Sequence, residues 1–359
     1  MKGITDMDTD NLIITGDSSE KRHKITMPEY LTVSSSPHVR ASSTTQSVML
    51  TVLIALLPAL VWGIYIYGLR PLAVTLLSVL TCVVSEFLYE KLMKKRITVG
   101  DLSAAVTGVI FAFNLPPAVP YYLVVVGGVF AIVVVKQLFG GIGKNFLNPA
   151  LAARVFLFMA WPKPMATYVA PGWVPIFAKQ SDIVASATPL SSLKSGNISD
   201  VNLDIVQVFI GDKAGCIGEI SCMLLLVGGL LMLFRRVITW HIPVSFIGTV
   251  AFLTYAFAPQ SADAVSFMIY SVMSGGLFLG AWFMATDYVT CPINPTGRII
   301  YGIGCGAITV FIRFFAGFNE GVSFAILVMN LLVWYIDKLT RPRPFGKIKA
   351  EKTADGGKK

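Results

Sequence analysis

Charge is scarce in this sequence. Only 14% of its 359 residues are Asp, Glu, Lys or Arg, where an ordinary soluble domain carries roughly 25%. With 55% hydrophobic residues and a mean hydropathy of +0.70, that deficit excludes a soluble globular chain. Cysteine is sparse as well. Cys82, Cys216, Cys222, Cys291 and Cys305 form no CxxC pair and no spacing that suits a metal or an iron–sulfur cluster. They are expected to be scattered apolar thiols, with a Cys216–Cys222 bridge the less favoured alternative. No apolar leader opens the chain. Residues 1–45 are polar, contain Lys21, Arg22, His23, Lys24 and Arg40, and read as a cytoplasmic tail.

What is abundant is apolar sequence in long runs. Ten segments can be drawn, at about 46–68, 71–92, 101–115, 121–138, 146–161, 217–234, 241–258, 265–284, 299–316 and 321–337. Such runs define a polytopic, all-α membrane protein whose surroundings are the lipid bilayer. The net charge of +9 therefore signals topology and implies no nucleic-acid partner. Lys and Arg collect in cytoplasmic loops. The N-terminal tail, Lys91–Arg96, Lys144, Arg235 and Arg236, Arg298, and the basic run from Lys338 to Lys352 all fall on one side of a ten-span chain. That side is the cytoplasm, with both termini on it.

The division that follows is a tail (1–45), a first transmembrane half (46–161), an extracytoplasmic loop (162–212), a second half (213–338) and a basic tail (339–359). The halves echo each other. In AIVVVKQLFGG (131–141) and AITVFIRFFAG (307–317), Ala131, Ile132, Val134, Phe139 and Gly141 align with Ala307, Ile308, Val310, Phe315 and Gly317. Gln137 then stands opposite Arg313, and Thr107–Gly108 echoes Ser274–Gly276. Five segments per half predict two inverted five-helix repeats, with a site at their interface. The Pro-rich NLPPAVP (114–120) and TCPINPTG (290–297) predict broken or re-entrant helices, which need protein or water to cover the freed backbone. GGIGKN (140–145) lacks the features of a phosphate-binding loop and reads as a tight turn.

The outward loop holds DIVASATPLSSLK (182–194). Ala185, Ser186 and Ala187 are small neighbours for the Thr188 hydroxyl. Pro189 disfavours the α-region at Thr188 and should leave it extended, with its side chain presented. Most Ser/Thr-rich loops are simple hydrated connections, but the residue order here closely resembles a flavinylation motif. In that motif, a Thr hydroxyl carries FMN through a phosphoester. Its bearers are the D subunits of Rnf ferredoxin:NAD oxidoreductases and the B subunits of sodium-translocating NADH:quinone oxidoreductases. The resemblance extends through SSPHVRASSTTQSVMLTVLIALLPAL (35–60), GGIGKNFLNPALAARVF (140–156), MATDYVTCPINPTGR (284–298) and RFFAGFNEGVSFAILVMN (313–330). In the third stretch Tyr288 and Cys291 depart from the family pattern.

The resemblance implies a urea-channel-like inverted repeat in the cell membrane and covalent FMN on Thr188, flanked by Ser186 and Ala187 on the extracytoplasmic side. It also implies a non-covalent riboflavin between the repeats. Its implied partners are the other members of an Rnf complex: the flavin-carrying G subunit, the A and E membrane subunits, and the B and C iron–sulfur subunits. A flavin transferase is implied with them. The implied activity is electron transfer within a translocase that couples ferredoxin and NAD to Na+ or H+ movement, with no catalysis by this chain alone. The competing readings are a non-redox inverted-repeat channel or transporter, and a passive anchor.

Charges inside the apolar segments are costly, roughly 2.5–3.5 kcal/mol at mid-membrane on insertion scales. Glu86 and Arg313 are expected to snorkel or to form structural interhelical pairs. Arg154 has two readings, a contact with flavin phosphate or ring, or a structural pair. Lys136 is expected to snorkel to the cytoplasmic face, and Asp101 and Asp287 to cap helices or lie at the interface.

Overall fold

Each apolar segment coincides with a helix in the computed structural model, which describes residues 44–177, 185–194, 204–259, 263–316 and 320–342. The first group is α1 (Thr45–Tyr67), α2 (Arg70–Leu92), α3 (Ser103–Phe113), α4 (Tyr121–Val129, continued as a π-helix over Phe130–Gln137) and α5 (Pro149–Ala160). Three short helices follow: α6 (Pro162–Met165), α7 (Pro189–Lys194) and α8 (Ile205–Ile210). The second group is α9 (Cys222–Phe234), α10 (His241–Ala256), α11 (Ala264–Met273), α12 (Leu277–Leu279, continued as a π-helix over Gly280–Met284), α13 (Pro295–Phe315) and α14 (Val322–Thr340). Among the described residues no strand forms, only an isolated bridge between Val169 and Ala185.

Four helices (α1, α2, α13 and α14) are long and apolar enough to cross a membrane alone. The pair α11–α12 reaches that length together but is bent by 61°. The remaining five apolar helices are shorter. Large apolar side chains such as Val61, Leu76, Phe311 and Leu331 are exposed on the outer faces, which suits contact with lipid.

Short helices leave backbone groups that lipid cannot satisfy, and the chain supplies partners. After α3 the NLPPAVP stretch runs through non-helical turns, with the Val119 amide donating to the Pro116 carbonyl at 3.1 Å. The Leu115 carbonyl accepts the Ile217 amide at 3.0 Å and the Phe113 carbonyl accepts the Gly218 amide at 2.9 Å. Buried Arg70 donates to the carbonyls of Ala118 (3.2 Å) and Val119 (3.4 Å) in the same stretch. At the bend after α11, Arg313 donates to the carbonyls of Ser271 (2.6 Å) and Ser274 (3.1 Å), and Lys213 donates to that of Met273.

Several expectations are corrected. The break in the second half lies at Ser274–Gly276, where Gly275 takes φ +70°, and not at TCPINPTG. There Pro295 starts α13 at a position where its missing N–H costs nothing. Thr107–Gly108 lies in uninterrupted helix, so its sequence echo of Ser274–Gly276 has no counterpart in local conformation. Lys136 does not snorkel. It is buried and donates to Glu86 at 2.6 Å and to the Ser103 hydroxyl at 2.6 Å. Arg313 has carbonyls rather than a carboxylate as its hydrogen-bond partners. Cys216 and Cys222 are both free thiols, in line with the favoured reading. The GGIGKN turn is as expected, with φ of +114°, +89° and +83° at Gly140, Gly141 and Gly143. Asp101 caps α3 through the Ser103 amide at 2.8 Å.

Candidate functional site

Thr188 closes a short non-helical segment that is pinned at both ends. Upstream, Ala185 bridges Val169 and the Ser186 amide donates to the Tyr168 carbonyl at 2.9 Å. Downstream, Pro189 opens α7, and Leu190 and Leu193 pack on Val208, Phe267 and Tyr270. The Thr188 hydroxyl accepts the Ser191 amide at 3.3 Å. The Ser191 hydroxyl donates to the Thr188 carbonyl at 2.6 Å. Anchoring by the two leucines draws Thr188 inward, so it is 7% exposed rather than presented on an open loop. It lines a cavity of about 260 Å3 together with Ser186, Ala187 and Ser191. Asp182, the first residue of the motif, lies outside the described residues.

Arg154, from the middle of α5, lines the same cavity. The fold therefore brings together four residues that the sequence singles out: Ser186, Ala187, Thr188 and Arg154. What sequence reasoning misses is Arg154's partner. The guanidinium forms an ion pair with Glu320, just ahead of α14. It also donates to Asn114 Oδ1 at 3.1 Å and Ser323 Oγ at 2.7 Å, and lies 3.7 Å from Cys216 Sγ. Of the two readings for Arg154, the structural pair is present, and that pair also forms a wall of the cavity. Tyr168 completes the wall, its hydroxyl donating to Glu320 Oε1 at 3.0 Å. Glu320 is legible only as a lone acid in the NEG sequence before the last helix.

Burial opposes ionisation of Glu320, but Arg154's charge and hydrogen bond, helped by Tyr168, hold its carboxyl below the ordinary carboxylate range. Burial, followed by the charges of Glu320 and Cys216, pushes the Tyr168 phenol well up, so it remains a neutral donor. One ligand atom each from Cys216, Glu219 and Glu320 lies within 4.8 Å of the others. That spacing could suit a metal ion, but the Arg154 guanidinium already contacts both Cys216 and Glu320 and supplies the local positive charge.

A second cavity of about 450 Å3 lies between α1, α3 and α9 and the segments flanking α5 and α12. Its walls are mainly apolar, with Thr107, Lys136, Asn145, Asn148 and Asp287 among its polar residues. Asn148 is fixed at the N-cap of α5, accepting from Ala150 at 3.1 Å and donating to the Met284 carbonyl at 3.2 Å.

A model of the NQR2, RnfD, RnfE family matches residues 32–346. The chain belongs to this family. It is similar to the D subunit of a Na(+)-translocating ferredoxin:NAD(+) oxidoreductase complex of Acetobacterium woodii, with 46% identity over 90% of this chain and 98% of that one. It is also similar to the D subunit of a proton-translocating ferredoxin:NAD(+) oxidoreductase complex of Clostridium ljungdahlii, at 40% identity over 88% and 96%. The D subunit of an ion-translocating oxidoreductase complex of Stutzerimonas stutzeri is 38% identical over 85% and 93%.

Proposed function

We propose that this chain is the membrane-embedded electron-carrying member of an Rnf-type complex that couples electron flow between ferredoxin and NAD to Na+ or H+ translocation, with FMN joined to Thr188 through a phosphoester. The observation that carries the reading is the meeting of the Thr188 hydroxyl, the Ser191 hydroxyl and the Arg154–Glu320 pair around one cavity. These residues fit the group. Ser186 and Ser191 offer hydroxyls beside the ester, Ala187 keeps approach open, and Arg154 supplies positive charge near a phosphate or a reduced ring. The cavity is just below the ~300–1,000 Å3 of whole-ligand pockets, so it would hold one end of the flavin. When bound, FMN supplies reversible one- and two-electron chemistry, and the chain supplies position, charge and insulation.

The ten helices would form two inverted five-helix repeats of urea-channel type, with both termini cytoplasmic and Thr188 on the extracytoplasmic side. The second cavity, with its apolar walls and fixed Asn148, would suit a non-covalent riboflavin. The partners would be the flavin-carrying G subunit, the A and E membrane subunits, the B and C iron–sulfur subunits, and the transferase that esterifies Thr188.

Trypsin cuts after Lys179 and Lys194, giving a single peptide with Thr188 inside it. Mass spectrometry of that peptide, from chain made alongside a functional flavin transferase, should show an FMN adduct that Thr188→Val abolishes. An unmodified peptide would overturn the flavin reading and return the chain to the channel or transporter class.

A further inference from the structure

Glu219 lies in the turn before α9, behind the wall of the Thr188 cavity. It is 4% exposed, and among the described residues it forms no ion pair. Its Oε1 accepts the Cys216 amide at 2.8 Å. A Cβ on Gly215 would come 2.6 Å from Oε1, and one on Gly276 would come 3.4 Å from Oε2. Backbone thus closes around the carboxyl from its own turn and from the bend between α11 and α12. Glu320 lies on the remaining side, with carboxylate oxygens of the two residues within 4.8 Å. Arg154, the cation that contacts Glu320, is already shared among Glu320, Asn114 and Ser323. Two carboxylates this close, with one engaged cation between them, do not both ionise readily.

We propose that Glu219 and Glu320 hold one proton between them, and that a flavin on Thr188 binds this proton to the pair more tightly when it carries an added electron. The proposal rests on the attachment of flavin at Thr188. Burial, and then the charge of Glu320, push the Glu219 carboxyl up to about 8, against the pull of Arg154, the Cys216 amide and Lys213. The other charged or titratable groups around it are accounted for. Tyr168 is committed to Glu320. Lys213 and Arg313 are committed to the carbonyls at the end of α11. Asp212 and Cys216 share its own segment, and Tyr67 of α1 faces the same region.

The balance is simple. An electron reaches the flavin from the redox partners of the complex. A proton from water adds to a carboxylate oxygen, giving a carboxylic acid. Reoxidation of the flavin returns both. The sign follows from the charges. Added negative charge on the flavin raises the proton affinity of the pair. Below about pH 8 Glu219 already holds its proton and takes up none. Above it, Glu219 starts ionised, so reduction draws a proton in. At neutral pH the pair shows a single negative charge, which Arg154 offsets, and the electron enters a site of near-zero net charge.

The test is a redox titration of the bound flavin in the whole complex, native against Glu219→Gln, from neutral pH to well above 8. The flavin's own proton uptake is common to both proteins, so the difference between the profiles reads the carboxyl. The native midpoint should fall more steeply than the variant's above about pH 8 and run parallel to it below. Reduced-minus-oxidised infrared spectra at alkaline pH should show a protonated-carboxyl C=O band in the native protein that Glu219→Gln removes. Parallel profiles throughout, with no such band, overturn the proposal. Should Glu219→Gln fail to assemble, the native infrared spectrum decides alone, and absence of the band overturns the proposal. In-gel flavin fluorescence of the denatured chain separates the two readings. A fluorescent chain with parallel profiles defeats the proton pair alone, and a chain without fluorescence defeats flavin attachment with it.

Discussion

Arg154 carries more of this site than any other single residue. It ties α5 to the end of α3 through Asn114, to α14 through Ser323 and to the turn before α9 near Cys216. Its charge answers Glu320. Removing one member of a buried ion pair leaves an uncompensated charge, at a cost of about 3–5 kcal/mol, whereas removing both is often far milder. Arg154→Leu should therefore lower the thermal stability of the purified protein markedly, and Arg154→Leu with Glu320→Gln should recover part of that loss. A double variant no more stable than the single would mean that Glu320 is solvated and the pair contributes little. The double variant also isolates the redox role. Measured against Glu320→Gln alone, the double variant should show a lower flavin midpoint potential, because a nearby cation favours the reduced, more negative form. A midpoint equal to that of Glu320→Gln in an assembled double variant leaves Arg154 as an interhelical anchor alone.

At the scale of elements, packing of small residues decides where helices meet. Gly228 of α9 faces α1 so closely that a Cβ would lie 2.3 Å from the Ala55 carbonyl oxygen. Backbone cannot rotate away as a side chain can. Gly228→Ala should thus destabilise by roughly 1–3 kcal/mol, read as a lower melting temperature. Gly248 of α10 has open space around it, so Gly248→Ala should stay within about 0.5 kcal/mol of the native protein. Equal effects of the two would refute close packing of α9 on α1. The helices themselves are legible in the sequence because apolar runs and basic punctuation are local signals. The apolar run at about 46–68 becomes α1 at Thr45–Tyr67. Their breaks are less legible. Proline marks TCPINPTG, but Ser274–Gly276 bends the chain without any proline, and its Gly-Gly signal is shared by Gly127–Gly128 and Gly228–Gly229, which lie within helices. Pairings are not legible at all. Glu86 meets Lys136 across 50 residues and Arg154 meets Glu320 across 166, and a single sequence carries no record of such contacts. The Thr188 motif is legible because its chemistry is confined to a few consecutive residues.

Among the described residues, most basic side chains fall into two populations, with exposed Lys163 and Lys194 set apart in the loop region that carries Thr188. Arg70, Lys136, Arg154, Lys213 and Arg313 are buried, and each is committed to a carboxylate or to backbone carbonyls. They hold the fold together and carry no topological information. Lys91, Lys94, Lys95, Arg96, Lys144, Arg235, Arg236 and Arg341 are exposed at or beyond helix ends. These are the residues to which the positive-inside bias applies. If they mark the cytoplasmic face, the proposed ten-span path places α7 and Thr188 toward the opposite aqueous phase, with α5 leading from Lys144 to the loop that carries them. A cytoplasm-dependent reporter fused after Lys359 should be active, and a periplasm-dependent one silent. A cysteine replacing Ser192 should react with an impermeant thiol reagent added outside intact cells. The native thiols give little background, because four of the five are buried and only Cys291 is partly exposed. Cys291 lies near Arg298 on the face assigned to the cytoplasm, so it supplies the internal control. It should resist the external reagent and react only after the membrane is opened. External labelling of Cys291 with protection of the residue-192 thiol would invert the chain. The proposed flavin would then face the cytoplasm, and the exposed basic clusters the opposite aqueous phase.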